Sequence, residues 1–334
     1  MLRFGRNIKI LGIYDERKEL QGRDAGEILG MGKTGLVIQG NFDEMLKKFS
    51  GQAEMLVTTG EGLYFTKRRN VREWRKNVEK AIRYGLDVYT MSKIFYGNKT
   101  EDLKKLAEKN GVKFIEASDP DGFEKFRDYA LQAVEEGIVT PKILFAGTSM
   151  NSGKMTAMLT IRNFLEQQDI KLGVVGTEPC SVFVGADEQV IPEVLPTMRG
   201  AHAILGAIKK IEVEKRPDLI LVGSQTGMRA SAVHVAEARA GGVVAWQIFM
   251  GTAPEKVVLC TKWINTHEIK PHMELIRNSG ISTKVIAIVI NGYQCEKDKL
   301  LKIIENVEKE TGLLCIDVLA TPGRLPELAG LISR

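Results

Sequence analysis

The sequence ILFAGTSMNSGKMT, residues 143–156, joins a strand-like run to the start of a helix through a short glycine-containing loop. The apolar run ends at Gly147, and Gly153 and Lys154 open the helical segment. In a parallel sheet such a turn points successive backbone N–H groups into one hollow, where the helix dipole adds positive potential. Residues 147–156 are therefore predicted to form a phosphate-binding P-loop in which Lys154 reaches the outer phosphates.

The spacing of this loop differs from that of a Walker A motif. Five residues separate Gly147 from Gly153 where Walker A has four, and Met155 follows the lysine in place of a hydroxyl residue. The form G-T-x-x-x-x-G-K is typical of dethiobiotin-synthetase-like P-loop proteins. An ordinary glycine-containing turn is the alternative interpretation. The residues expected to bind a phosphate-bearing cofactor are Gly147, Thr148, Ser149, Asn151, Ser152, Gly153, Lys154, Met155 and Thr156.

Apolar runs and helical patterns alternate along the chain, which predicts an α/β fold with parallel sheets. The segment GIVTP (137–141) interrupts the alternation, so we place a domain boundary there, between a Rossmann-like domain at 1–139 and a P-loop domain at 140–334. Strands are expected at 8–14, 35–40, 53–60, 86–92, 112–118, 142–147, 171–177, 218–224, 256–262, 284–292 and 313–319. Helices are expected at 70–85, 100–111 and 121–137, with further helical segments between the later strands.

The first domain looks like a dinucleotide-binding fold without its glycine-rich fingerprint. The run IKILGIYDE begins at residue 8 and is similar to the second strand of such a fold, with Asp15 where a ribose-binding acid would stand. Residues 1–7 contain no G-x-G-x-x-G pattern. We therefore expect a scaffold or substrate-covering domain rather than an NAD site.

Three polar, glycine-containing loops follow predicted strands of the second domain. They read TEPCSVFVGAD (177–187), GSQTGMRAS (223–231) and NGYQCE (291–296). Ligands of open parallel sheets bind at the carboxyl ends of the strands. We expect these loops to surround the P-loop and to recognise the substrate and the base.

The order of these motifs resembles the family known as domain of unknown function 1611, described as D-glutamate N-acetyltransferase-like. The resemblance covers nearly the whole chain, from GRDAGEILG (22–30) through GTSMNSGKMT (147–156) to VIAIVING (285–292). In the P-loop, Ser149 and Met150 replace an Asp and a Cys of the family pattern. The positions that match the family loop are Gly147, Thr148, Gly153, Lys154 and Thr156.

Both substrate loops depart from the family pattern. At 177–181 the family has T-G-Q-T-G and only Thr177 matches, whereas at 223–226 it has E-G-Q-G and only Gln225 matches. The acid of the second motif is thereby replaced by Gly223.

The lost acid bears on phosphate chemistry. In P-loop enzymes an acid at this strand end usually holds Mg²⁺ or its water. Glu178 or Asp187 could substitute from the neighbouring loop. Alternatively, the loop binds a diphosphate, such as that of coenzyme A, without cleaving it.

The activity implied by the resemblance is N-acyl transfer from acetyl-CoA to an amino acid such as D-glutamate, with the CoA phosphates on the P-loop. This reaction needs a base for the amine and donors for the carbonyl oxyanion. We expect Glu178 to be the base and Gln225 and Lys154 to be the donors. The residues expected to bind the substrate are Thr177, Ser181, Asp187 and Arg229.

Two rival interpretations remain open. The first is an ATP-dependent kinase or ligase that activates a carboxylate, with Mg²⁺ held by Thr156 and Asp187. The second is a nucleotide-binding regulatory or assembly protein without chemistry. Mg·ATP and acetyl-CoA are therefore the alternative ligands expected at the P-loop.

Composition argues against several other functions. The net charge is only +5, so the basic run TKRRNVREWRK (66–76) predicts a solvated helix start and no nucleic-acid partner. The four cysteines form no C-x-x-C pair, and no apolar run reaches membrane-spanning length. His267 and His272 are five residues apart, which is not one helical face, so no metal pair is expected. We expect a cytoplasmic protein that acts on a small molecule.

The stretch 235–251 is unusually apolar for a helical region and contains Trp246, Phe249 and Met250. Such a stretch usually belongs to a core or to a contact between subunits. We therefore expect a homo-oligomer.

Overall fold

The computed structural model describes residues 1–6, 8–59, 68–91, 100–229 and 235–334. The chain divides into two units, Met1–Asp119 and Pro120–Arg334, each with a hydrophobic core of its own. Strands pair in parallel in both units, so the predicted α/β fold is confirmed.

The first unit contains two small parallel sheets. Its described strands are β1 (Ile13–Tyr14), β2 (Ile38–Gln39), β3 (Met55–Thr58), β4 (Asp87–Thr90) and β5 (Phe114–Glu116), and its described helices are α1 (Ala25–Ile28), α2 (Phe42–Phe49), α3 (Arg68–Arg83) and α4 (Glu101–Lys109). β1 pairs with β2, and β4 lies between β3 and β5. Apolar side chains of α2, α3 and α4 pack on β4, where Val88 is fully buried.

The first two strands are shorter than the sequence pattern predicts. Expected over 8–14 and 35–40, they are reduced to two residues each, because only Ile13 and Tyr14 have partners in the neighbouring strand. Gly60 and Ser92, at the ends of the next two expected strands, and the first two residues of the basic run at 66–76 lie outside the described residues.

The described strands of the second unit form one seven-stranded parallel sheet. They are β6 (Lys142–Gly147), β7 (Leu172–Gly176), β8 (Glu188–Gln189), β9 (Leu219–Gly223), β10 (Lys256–Lys262), β11 (Lys284–Asn291) and β12 (Leu314–Ile316). The helices are α5 (Arg127–Glu136), α6 (Lys154–Glu166), α7 (Thr197–Lys215), α8 (Val235–Thr252), α9 (Ile269–Arg277), α10 (Lys297–Thr311) and α11 (Leu325–Ser333).

The P-loop lies at the centre of this sheet. The strand order is β12-β11-β10-β6-β9-β7-β8, so β6 is flanked by β10 on one side and by β9 on the other. Every residue of β6 is buried, as expected of a strand covered by helices on both faces. The loops that follow β9 and β10 therefore begin beside the P-loop.

Helix α5 belongs to the second unit, although the sequence pattern assigns it to the first domain. It follows a short 3₁₀ turn at Pro120–Phe126, and the turn packs against α7 so closely that a side-chain carbon at Gly206 would overlap the Phe126 carbonyl. Glu212 accepts hydrogen bonds from the backbone N–H groups of Val139 and Thr140. These contacts attach residues 120–140 to α7, which explains why the division between the units falls after Asp119.

Most residues described in the second part of the apolar stretch in α8, 242–251, are buried. Ile248 and Phe249 are fully buried, and the Trp246 ring packs edge-to-face on Phe249 with 5.5 Å between ring centroids. Met250 is 52% exposed, and the expected homo-oligomer stays a prediction. Within the described ranges, no helix combines the length and the apolar character that crossing a bilayer requires.

Candidate functional site

The P-loop has the tight backbone that a phosphate cradle requires. A side-chain carbon placed on Gly147 would lie 2.5 Å from Ser152 Oγ and 2.7 Å from Lys154 Cδ, so the loop closes over this position only because it is glycine. Gly153 has φ +89° and ends the loop in a left-handed conformation, which glycine adopts without strain. Asn151 shares this region of backbone space with φ +55°.

Lys154 is buried inside the loop that it follows. Its Nζ donates hydrogen bonds to the Ser149 carbonyl at 3.0 Å and to Ser152 Oγ at 3.4 Å. Burial lowers the pKa of Lys154, and the nearby charge of Glu178 acts in the opposite direction. An ammonium group held by one carbonyl and one hydroxyl is poised to exchange those neutral acceptors for an anion.

The N-terminus of α6 adds further donors. The first N–H groups of any helix have no intrahelical acceptor and carry a partial positive charge. Gly153, the N-cap residue of α6, has no side chain that could accept from these groups. A phosphate group would fit here, because the glycine cradle, the buried lysine and the uncapped end of the helix all lie at this loop.

The two hydroxyl residues that flank the loop differ in their availability. Thr148 is buried, its N–H donates to the Cys260 carbonyl, and its Oγ1 lies 2.8 Å from Thr261 Oγ1, so it fixes the loop to β10. Thr156 lies in the first turn of α6 and is half-buried. Met155 stands between Lys154 and Thr156, with its sulfur 3.9 Å from the Cys180 sulfur.

The ends of β7 and β9 are tied together by two residues predicted to act on the substrate. Thr177 Oγ1 donates to the Gly223 carbonyl at 3.0 Å, and Gln225 Nε2 donates to the Thr177 carbonyl. Both side chains are buried. The structure thus brings Thr177 and Gln225 into one wall beside the P-loop strand.

Glu178 is the predicted residue whose charge acts on the P-loop lysine. Its N–H donates to Ser181 Oγ at 3.2 Å, and Ser181 is buried against Gly176, so this serine shapes the turn that presents Glu178. Burial, followed by the Glu178 charge, raises the pKa of the adjacent Cys180 thiol. Cys180 is therefore an uncharged neighbour of the site.

Asp187 lies away from the carboxyl edge of the sheet. Its carboxylate accepts the N–H of Val174, in the middle of β7, at 2.8 Å and forms an ion pair with Lys215 at 2.6 Å. The structure does not bring it together with Thr156, because Val174 precedes the strand end by two residues. In the described part of the chain, no group of three or more His, Cys, Asp or Glu residues could hold a metal ion.

The loop after β9 lies directly on the P-loop. A side-chain carbon on Gly227 would overlap the Thr148 carbonyl. Arg229, predicted to bind the substrate, forms an ion pair of 2.7 Å with Glu268, which follows β10. Residues 230–231 of the predicted loop lie outside the described residues.

The fully buried His272 lies next to Glu268. Its Nδ1 is 2.8 Å from the Glu268 carbonyl oxygen, and burial lowers its pKa. His272 is thus packed inside the second unit.

Two residues at the site were not singled out from the sequence. Asn291, the last residue of β11, donates from Nδ2 to the Asn151 carbonyl at 3.0 Å. Lys262, the last residue of β10, lies close enough to Lys154 to lower the pKa of that lysine. Their positions in the sequence could have indicated a place at the site, because each residue ends a strand at the carboxyl edge near β6.

Comparison with known families identifies the chain. The P-loop domain described as domain of unknown function 1611 matches residues 130–325, and the Rossmann-like N-terminal domain of the same family matches residues 18–120. The protein belongs to the DUF1611 family, with a Rossmann-like domain followed by a P-loop domain, as predicted.

A solved structure of the same family agrees with this fold. The crystal structure of a DUF1611 family protein from Anabaena variabilis is 15% identical, with a TM-score of 0.73, and the match covers 99% of this chain and 93% of that chain. A nucleotide-binding protein from Archaeoglobus fulgidus in complex with ADP is 11% identical over 63% of this chain and 92% of that chain, with a TM-score of 0.32. The septum site-determining protein MinD from Pyrococcus horikoshii, complexed with Mg-ADP, is 13% identical over 58% and 94%, with a TM-score of 0.35. No curated protein matches the chain.

Proposed function

We propose that the second unit binds the diphosphate of acetyl-CoA at residues 147–156 and transfers the acetyl group to the amine of a small amino acid. The observation that carries this proposal is a buried lysine in a glycine cradle beside a strand end that lacks an acid. Lys154 supplies the cation, whereas Gly223 stands where P-loop enzymes that cleave phosphates usually carry a carboxylate.

The residue that follows the lysine supports the same choice. Hydrolytic P-loops place a hydroxyl there to hold Mg²⁺. Here Met155 takes that position. A ligand whose phosphates are bound and not cleaved has no need of these Mg²⁺ ligands, and the diphosphate of acetyl-CoA is such a ligand.

Glu178 is the proposed base. The amine nitrogen attacks the thioester carbonyl carbon, the C–S bond breaks as the tetrahedral intermediate collapses, and the amine proton passes to Glu178 and then to the departing thiolate. Glu178 suits this task because it follows β7 and lies within electrostatic reach of the loop lysine. Gln225 remains the proposed donor to the carbonyl oxygen, whereas Lys154 holds the diphosphate.

The acceptor is proposed from the family resemblance to be D-glutamate or a similar acidic amino acid. Arg229 is the candidate carboxylate ligand, because it lies on the loop that covers Thr148. Its present partner is the Glu268 carboxylate, which a substrate carboxylate would replace.

An ATP-dependent ligase or kinase is the second candidate. One observation favours it: Glu178 places a carboxylate near Lys154, where it could help to hold Mg²⁺. Such an enzyme would release ADP only when its carboxylate substrate is present.

The proposed function is tested by thiol release from acetyl-CoA with a panel of D- and L-amino acids. We expect turnover with an acidic amino acid and a loss of about 100-fold or more in kcat for Glu178→Gln. Glu305→Gln, an exposed change on α10, is the matched control and should retain full activity. Carboxylate-dependent ADP release from ATP, without thiol release, would contradict acyl transfer and support the ligase.

A further inference from the structure

Lys262 lies on the same face of the sheet as the P-loop lysine. The register pairs Cys260 of β10 with Gly147 of β6, so Lys262 stands two residues beyond the point where the P-loop begins. Side chains alternate along a strand, which places Lys262 on the face of Cys260 and opposite to that of Leu259. Leu259 belongs to the core under α7 and α8, whereas the charge of Lys154 acts on Cys260. Lys262 and Lys154 therefore converge on one side of the loop.

Two ammonium groups in one place repel each other. Lys262 lowers the pKa of Lys154, although burial is the larger cause. Other buried lysines of this unit have carboxylate partners, as in the Lys142–Glu255 and Lys209–Glu212 pairs. No acidic partner contacts half-buried Lys262 anywhere in the described residues. An anionic ligand would supply the missing negative charge.

The neighbourhood of Lys262 suits the nucleoside end of a ligand. Asn291 lies opposite Lys262 in β11, and its side chain contacts the P-loop carbonyl of Asn151. Two residues further on, Tyr293 is 72% exposed, as expected of an aromatic residue that stacks on a base. Glu178 follows β7, on the other side of β6, so the nucleoside and the reacting end would lie on opposite sides of the P-loop.

We infer that Lys262 binds the ribose 3′-phosphate of coenzyme A. This inference rests on the proposed function, because it places the CoA diphosphate on residues 147–156 and the thioester near Glu178. The 3′-phosphate is the group that CoA carries in addition to an ordinary adenosine diphosphate. Its position beside the diphosphate matches the position of Lys262 beside Lys154.

The test compares ligands with and without this phosphate. Calorimetry would measure the binding of CoA and dephospho-CoA to the wild type, to Lys262→Met and to Lys302→Met, an exposed control on α10. The wild type and the control should prefer CoA by about tenfold to 100-fold, the contribution of one charge-assisted contact. Lys262→Met should reduce this preference to about twofold or less while it still binds dephospho-CoA, because the P-loop is intact.

Other results would overturn the inference. If Lys262→Met lost affinity equally for CoA and dephospho-CoA, Lys262 would contact the diphosphate instead. If Lys262→Met kept the full preference for CoA, Lys262 would not contact the ligand. Adenosine 3′,5′-bisphosphate and AMP form a second pair that does not depend on the thioester. A preference for the bisphosphate that requires Lys262, without acetyl transfer, would support this inference and contradict the proposed function. Acetyl transfer by a protein that shows no preference for the 3′-phosphate would support the proposed function and contradict this inference.

Discussion

Asn291 donates a hydrogen bond of 3.0 Å from its side chain to the backbone carbonyl of Asn151, joining the end of β11 to the P-loop. Asn151 has φ +55°, a conformation that non-glycine residues adopt less readily. The bond therefore helps to hold the loop in the shape that a phosphate requires.

Removal of this bond should loosen the cradle without unfolding the domain. We expect Asn291→Ala to weaken phosphate-ligand binding by about fivefold, the worth of one ordinary hydrogen bond. Calorimetry with CoA would measure the change. Asn278→Ala, an exposed change at the end of α9, is the control. Equal affinities for the two variants would show that the Asn291 bond is irrelevant to the loop.

Gly147→Ala should weaken phosphate binding strongly. The added methyl group would stand 2.5 Å from Ser152 Oγ and 2.7 Å from Lys154 Cδ, so the loop or the lysine must move. Gly330→Ala is the control, because nothing lies within 4 Å of its new carbon and it lies within helix α11. We expect at least about tenfold weaker binding for the first variant and unchanged binding for the second. Normal affinity in Gly147→Ala would exclude the tight cradle.

Asp24 should make the first unit sensitive to acid. Its carboxylate accepts hydrogen bonds from the N–H groups of Gly26, Thr34 and Gly35, and those from Thr34 are the main cause that lowers its pKa from 3.8 to about 2. Because the folded pKa is the lower one, this stabilisation is complete above about pH 4 and is lost as the pH falls toward 2.

Thermal melts across pH 2–6 would measure this effect. Asp24→Asn should have a lower Tm than the wild type at pH 6, and the difference should shrink as the pH approaches 2. Glu54→Gln, an exposed change in the same unit, should follow the wild type. A constant Tm difference for Asp24→Asn across this range would refute the account of its pKa.

Fragments of the chain can test where the second unit begins. The fragment 120–334 retains Phe126, which is 1% exposed, and Val139, whose N–H donates to Glu212, whereas 140–334 loses both residues. The loss of one buried Phe alone costs about 3–5 kcal/mol. We expect cooperative melting of 120–334 and a clearly lower Tm for 140–334. Equal Tm values would show that α5 is dispensable.

Much of the fold followed from local patterns. A buried parallel strand reads as a continuous apolar run, so β6, β7, β9, β10 and β11 lie where they were expected. β8 was missed because Glu188 and Gln189 carry no apolar pattern and pair only over two residues with β7. The place of α5 was also not readable, since its attachment depends on contacts with α7, which is distant in sequence.

The candidate site also contains some features that the sequence predicts and others that it does not. The P-loop was predictable because glycine spacing and the lysine specify a local backbone shape. Asp187 and Ser181 were expected to face the ligand, yet Asp187 pairs with Lys215 and Ser181 packs under its own turn. Side-chain direction depends on tertiary partners that no spacing records. Lys262 was overlooked for the same reason, because strand register alone brings it beside Lys154.

Lys154 is the proposed cation of a coenzyme A phosphate site. Calorimetric titration of acetyl-CoA and of Mg·ATP into the wild type and Lys154→Met tests it most directly, with Lys302→Met as the control for charge. Acetyl-CoA should bind the wild type and the control, Lys154→Met should remove this binding, and Mg·ATP should bind no better than CoA. Acetyl-CoA binding that survives in Lys154→Met, or no binding to the wild type, would contradict it.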